Sequence, residues 1–125
     1  MGAVQQAAYS LADVFRLIDG NKVVFTAPSR SIRKVIEVYL TSGTPKTEIE
    51  ARDFILQGIK MLTEKHFCGS QLQWETVVVD KYGIIYDGKS WFVKFAITDG
   101  ELEEISFHPP EKDLKTEGGI LIPKG

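Results

Sequence analysis

The 125-residue sequence predicts an α+β fold, with N-terminal helices packed on one face of a four-stranded antiparallel sheet in the C-terminal half. Three observations predict it. Two Asp-Gly pairs, Asp87-Gly88 and Asp99-Gly100, stand between runs rich in Ile, Trp, Phe and Val. Each suits a two-residue type I′ hairpin, because both central residues need φ > 0, which Asp tolerates and Gly adopts freely. The first half instead repeats apolar residues every three and four positions, the period of an amphipathic helix. The order of segments, helices first and strands later, belongs to α+β rather than alternating α/β architecture.

The elements follow in turn. Ser10 and Asp13 have capping-box spacing, Leu11, Val14, Phe15, Leu17 and Ile18 recur at helical spacing, and Gly20 closes the segment. Residues 22–26 read as a β-branched strand stopped by Ala27-Pro28. Ser29 or Ser31 then caps a second helix with Ile32, Val35, Ile36, Tyr39 and Leu40 as its apolar positions, ending at Gly43. Arg30, Arg33 and Lys34 fall in its first turns, where cations oppose the helix dipole, and they read as a solvated face rather than an anion site. Thr47 and Glu50 form the clearest capping box, opening a helix expected to run to about His66 with Ile49, Phe54, Ile55, Leu56, Ile59, Leu62 and Phe67 as its buried stripe. Gly69-Ser70 ends it, residues 72–79 form a strand, Asp80-Lys81-Tyr82-Gly83 turns the chain, and the meander of residues 82–108 follows. The whole, residues 1–125, is expected to be one domain with irregular ends at 1–9 and 115–125.

Composition narrows the function classes. Fifteen basic against seventeen acidic side chains leave a formal charge of −2, so only a local basic cluster could meet nucleic acid. A single cysteine, Cys68, makes no internal disulfide, and with two scattered histidines it gives no zinc pattern. No metal or cofactor is expected, and a reducing, cytoplasmic location is. No apolar run approaches the roughly 20 residues of a membrane span, so no membrane partner is expected either.

Two-residue hairpin loops would set the register. Trp91 then lies opposite Ile84 and His108, and Lys94 opposite Lys81 and Ile105. One face carries Tyr82, Ile84, Tyr86, Trp91, Val93, Phe95, Ile97 and Leu102, with Ser106 and His108 toward one end, and is the expected core. The other mixes cations with rings: Lys81, Ile85, Phe92, Lys94, Ala96, Glu103, Ile105 and Phe107. Either the tail, with Leu114, Ile120, Leu121 and Ile122, covers that second face while Lys94 snorkels to water, or the face is an open surface for single-stranded RNA. In the second case Phe92 and Phe107 stack on bases while Lys81 and Lys94 bind phosphate. His108, at the end of the last strand, is the candidate general acid or base. His66 is adequately explained as a cation near a helix C-terminus. Cys68, with no activating partner in sequence, reads as a small buried hydrophobe.

The order of elements, with Val23-Val24-Phe25-Thr26, Trp74, Trp91-Phe92-Val93-Lys94-Phe95 and Ile105-Ser106-Phe107, resembles the motility quorum-sensing regulator family of toxins. That family has a RelE-like fold within the wider barnase, colicin and RelE-like ribonucleases. The resemblance implies a metal-independent endoribonuclease of a toxin–antitoxin or toxin–immunity system, with RNA and a cognate antitoxin or immunity protein as partners. Carried onto this chain, it implies Lys94 for charge on the phosphate, with Tyr82 and His108 as neighbouring catalytic residues. The chain departs from the family in being acidic, in continuing past the Ile-Ser-Phe strand, and in having Glu75 where glutamine follows the tryptophan. The register also sends Lys94 and His108 to opposite faces, which only a β-bulge near Phe107 would mend.

Two other classes fit the sequence. Glu101, Glu103 and Glu104 suit an acidic immunity or antitoxin-like module that neutralises a basic partner. A helix over a curved sheet, of the cystatin or nuclear-transport-factor type, would enclose a small apolar ligand between Trp74, Trp91, Tyr82 and Tyr86.

Overall fold

The computed structural model describes residues 6–125. Helix α1, Leu11–Asp19, is capped by the Ser10 hydroxyl, which accepts the Asp13 N–H at 3.1 Å. Strand β1, Val23–Phe25, precedes α2, Pro28–Tyr39, whose N-cap is Ala27. Neither Ser29 nor Ser31 caps it. Pro28 occupies the first turn instead, where its missing N–H has no helical partner to lose. Helix α3, Glu48–Lys60, opens on the expected capping box, with Thr47 and Glu50 bonded reciprocally.

The third helix is shorter than its apolar stripe suggests. Thr63 is extended, its N–H donates to His66 Nδ1 at 2.9 Å, and residues Glu64–His66 make one 3-10 turn. Phe67 therefore starts a strand, β2, Phe67–Gln73. Residues 80–83 are not a turn but the middle of β3, Val77–Tyr86. The chain reverses at Trp74, Glu75 and Thr76, where Trp74 (φ 52°) and Glu75 (φ 65°) take a left-handed conformation that neither residue type signals in sequence. Both Asp-Gly pairs do turn as expected, with φ of 54° and 71° at Asp87 and Gly88 and 51° and 75° at Asp99 and Gly100. They join β3 to β4, Lys89–Thr98, and β4 to β5, Glu101–His108.

The sheet has five strands in the order β1-β5-β4-β3-β2 and is mixed, which corrects the expected four-stranded antiparallel sheet. The addition is β1, which runs parallel to β5 with Val23 opposite Leu102 and Phe25 opposite Glu104. All three helices contribute to the core on one face. Val14, Val35, Tyr39, Phe54, Ile55 and Ile59 pack there against Tyr82, Ile84, Trp91, Val93, Phe95 and Leu102. Phe54 is the hub, with ring centroids 4.8 Å from Tyr86 and 5.4 Å from both Tyr39 and Trp91. Close approach of α3 depends on Gly58, where a Cβ would lie 2.9 Å from the Phe107 ring and 3.2 Å from the Tyr86 ring.

One irregularity redirects the end of β5. Ile97 pairs with Leu102 and Phe95 with Glu104, but Lys94 pairs with Ser106, Val93 with Phe107 and Phe92 with His108. Ile105 is the extra residue of a β-bulge, so the expected pairs Lys94–Ile105 and Trp91–His108 are each displaced by one position. Beyond the bulge every side chain changes face. Phe107 enters the core, fully buried and stacked on Trp91 at 4.9 Å between centroids.

The second face carries a small cluster of Val79, Ala96 and Ile105. Beside it lies the tail, which is not irregular from residue 115. Leu114–Lys115 (β6) and Leu121–Ile122 (β7) form a two-stranded hairpin, with Leu114 and Ile122 seated over Gly83. Phe67 C=O accepts the Glu117 N–H at 2.7 Å, fixing the hairpin to β2. At the other terminus, the buried Asp80 carboxylate accepts N–H bonds from Ala8 at 2.9 Å and Tyr9 at 3.0 Å, tying the entry to α1 onto β3.

Candidate functional site

A cleft of about 810 Å³ opens where the pairing of β1 stops. The last bond of that pairing is Thr26 N–H to Glu104 C=O, at 2.8 Å. From Ile105 onward the outer edge of β5 has no strand partner among the described residues. Arg30, Ser31, Lys34 and Glu37 of α2 form one wall, with Lys34 Nζ 3.8 Å from Glu37 Oε2; Ser106 and His108 form the other, and Pro110, Glu111 and Lys124 from the tail close the end.

The bulge sets which residues share the second face of the sheet; Ser106 and His108 of that face also line the cleft, whereas Lys94 does not. Lys94 sits directly opposite Ser106 on β5 and Lys81 on β3, while His108 sits opposite Phe92 with ring centroids 5.4 Å apart. Lys94 and His108 are thus diagonal neighbours on one face, a placement that puts the residues about 7–8 Å apart and their Cβ atoms somewhat closer. Burial holds the Lys94 amine below the ordinary lysine range, and the like charges of Lys81 and Arg30 push it further down. His108 Nδ1 lies 2.8 Å from the Pro109 carbonyl oxygen. A carbonyl only accepts, so Nδ1 is the donor of that contact and Nε2 is the nitrogen left for another partner.

Behind the cleft wall lies a carboxyl group. Glu104 is fully buried, and its Oε2 accepts the Ser31 hydroxyl at 2.9 Å. Its Oε1 has no partner among the described residues. Burial pushes the carboxyl up to about 7, with the Ser31 hydrogen bond opposing part of the rise.

The six expected site residues divide between the two faces. Lys81, Phe92, Lys94 and His108 share one, with Lys81 Nζ donating to Gln71 Oε1 at 3.1 Å. Tyr82 does not join them. It is 1% exposed on the helix-covered face, stacked on Phe95 at 5.3 Å, and burial raises its phenol far above the ordinary range. Phe107 is core rather than an RNA-stacking ring, because the bulge turned it inward. Phe92 remains on the second face, but the tail narrows its surroundings to a recess shared with His108, Pro110 and Leu114.

Four contributors escaped the sequence reading: Arg30, Lys34, Lys124 and Glu104. Arg30 and Lys34 carried a usable signal, since four-residue spacing places both on one helix face next to the buried Ser31 and Val35. Glu104 carried none, being one of three clustered acids. His66 and Cys68 stay outside the site. Burial lowers the His66 imidazole and raises the Cys68 thiol, so neither is poised for chemistry.

No protein-family model matches the chain, and no curated protein matches it. Among the described residues no helix is long and apolar enough to cross a membrane.

Proposed function

We propose that the cleft cleaves single-stranded RNA without a metal ion, and that the protein is the cytoplasmic endoribonuclease toxin of a toxin–antitoxin or toxin–immunity pair. The observation that carries this reading is the placement of Lys94 and His108 on one face beside Arg30. His108 Nε2 takes the proton of a ribose 2′-hydroxyl, and the 2′-oxygen attacks the adjacent phosphorus. The bond from phosphorus to the 5′-oxygen breaks, leaving a 2′,3′-cyclic phosphate and a 5′-hydroxyl. Lys94, with its lowered proton affinity, protonates the departing oxygen. Arg30 and Lys34 hold the phosphate and the charge that grows on it. Phe92 offers a ring to a neighbouring base. The resemblance to RelE-like toxins supports the same reaction, and a cognate antitoxin would present acidic groups to Arg30 and Lys34.

The acidic-module alternative is weakened because Glu104, one of its three carboxylates, is buried and adds no surface charge. The apolar-ligand alternative is weakened because Trp91 is core while Trp74 stands 55% exposed at a hairpin tip. The test is incubation of the purified protein with single-stranded RNA in EDTA, beside Lys94→Ala and His108→Ala. Products ending in 2′,3′-cyclic phosphate, with rates reduced roughly 10²- to 10⁴-fold in each variant, are expected. RNA left intact both free and on translating ribosomes would overturn the reading.

A further inference from the structure

We propose that the cavity beneath the start of α1 binds a guanidinium cation. This cavity, of about 630 Å³, shares no residue with the His108 cleft. Tyr9 and Leu11 line it from the N-terminal side, Phe67 and Tyr82 from the sheet, and Glu64 and Glu117 from the two flanking turns.

Two independent observations point to a ligand of this class. The first is an unused polar group. Tyr82 is 1% exposed and lines the cavity, and its hydroxyl makes no hydrogen bond among the described residues. Buried phenols ordinarily have a partner, so the oxygen faces a place where one can sit. The second is charge. Glu64 and Glu117 line the cavity, and among the described residues no lysine or arginine does. Asp80 stands close enough to Tyr82 to act on its phenol together with Glu64.

Those acceptors exclude an anion, and a neutral apolar guest would strip water from carboxylates without replacing its hydrogen bonds. Among charged guests a cation is what remains. Phe67 and Tyr82, edge to face at 5.5 Å between centroids, add aromatic surface. A guanidinium is planar, stacks on rings and distributes five N–H donors, which suits three separate oxygen acceptors better than the compact point charge of an ammonium. The same chemistry could come from a free guanidino compound or from an arginine side chain of a partner protein.

The experiment is calorimetric titration of the full chain with N-acetyl-L-arginine amide and with its citrulline counterpart, which keeps the shape and loses the charge. One saturable site for the arginine compound, none for citrulline, and at least tenfold weaker binding by Tyr82→Phe and by the double variant Glu64→Gln/Glu117→Gln are expected. Thermal melts establish that each variant is folded. An arginine-centred peptide binding at least tenfold tighter than the amide would assign the site to a partner's side chain, and equal affinity to a free compound. The proposal is overturned by no saturation up to about 10 mM, where a 1 mM site would be nine-tenths filled, by equal binding of citrulline, or by unchanged binding in both folded variants.

Discussion

Ser31 and Glu104 share a buried hydrogen bond of 2.9 Å that links the first turn of α2 to the strand carrying the bulge. It satisfies one carboxyl oxygen and leaves the other without a partner among the described residues. A fully buried acid in that state prefers to keep its proton, and the preference reaches the whole molecule through linkage.

Stability should fall as pH rises through the Glu104 titration. The folded-state value, about 7, lies above the ordinary 4.5, so the folded chain binds more protons than the unfolded chain between them. The contribution is fully present below about pH 4.5 and lost as pH passes 7, a change of about 3 kcal/mol by the size of the shift. Glu104→Gln should flatten this fall. Urea melts of both proteins from pH 4.5 to about 8.5 check it, and parallel profiles would remove Glu104 as the cause.

The two phenylalanines once paired as RNA-stacking candidates should separate cleanly. Phe107→Ala empties a fully buried core position and should cost about 3–5 kcal/mol. Phe92→Ala should cost about 1 kcal/mol or less and instead weaken binding of a short single-stranded RNA by about 1–3 kcal/mol. Equilibrium unfolding and fluorescence titration measure the two effects.

Removing Arg30 should change the pH dependence of cleavage and not only its rate. The cation lowers the proton affinity of Lys94, so Arg30→Ala lets the amine hold its proton longer and moves the alkaline limb of the pH–rate profile upward. Arg33 lies in a different recess of α2, and Arg33→Ala should leave the limb in place. A limb unmoved in Arg30→Ala would separate Lys94 from the proton transfer.

Gly58→Ala should destabilise the fold by about 1–3 kcal/mol, although alanine is the better helix former by about 1 kcal/mol. The added methyl meets the rings of Phe107 and Tyr86 below ordinary contact distance, and both rings are held by Phe54. Differential scanning calorimetry would show the lowered Tm, and an unchanged one would mean that α3 shifts freely.

Much of the architecture was legible because its signals are local. Asp-Gly pairs, capping boxes and three-four periodicity each act within a few residues, and the hairpins and the starts of α1 and α3 came out where those signals lie. What escaped depends on contacts distant in sequence. The pairing of β1 with β5 joins residues 23–25 to 102–104, and no local pattern announces it. The reversal at Trp74-Glu75 uses residues without turn preference. The site was harder still. Lys94 and His108 were named as candidates, but their shared face depends on Ile105, an ordinary strand residue whose bulging leaves no mark in composition. Arg30 and Lys34 read as solvent-facing charge and are exposed in the structure, and that they also line the cleft emerges only once α2 is laid against the open edge of β5.

Pro28 does two jobs at one peptide. It halts β1 after three residues and supplies the first turn of α2, so the chain leaves the sheet at the point where β5 still has four residues to run. The width of the cleft is therefore written into where the backbone changes direction, and not into the side chains that line it. The exposed side chains among them, Arg30 and Lys34, can be exchanged with the concavity intact, whereas Ser31 is tied to buried Glu104. Shifting the proline by two positions would let β1 extend along β5 and close the concavity, whatever residues stood there.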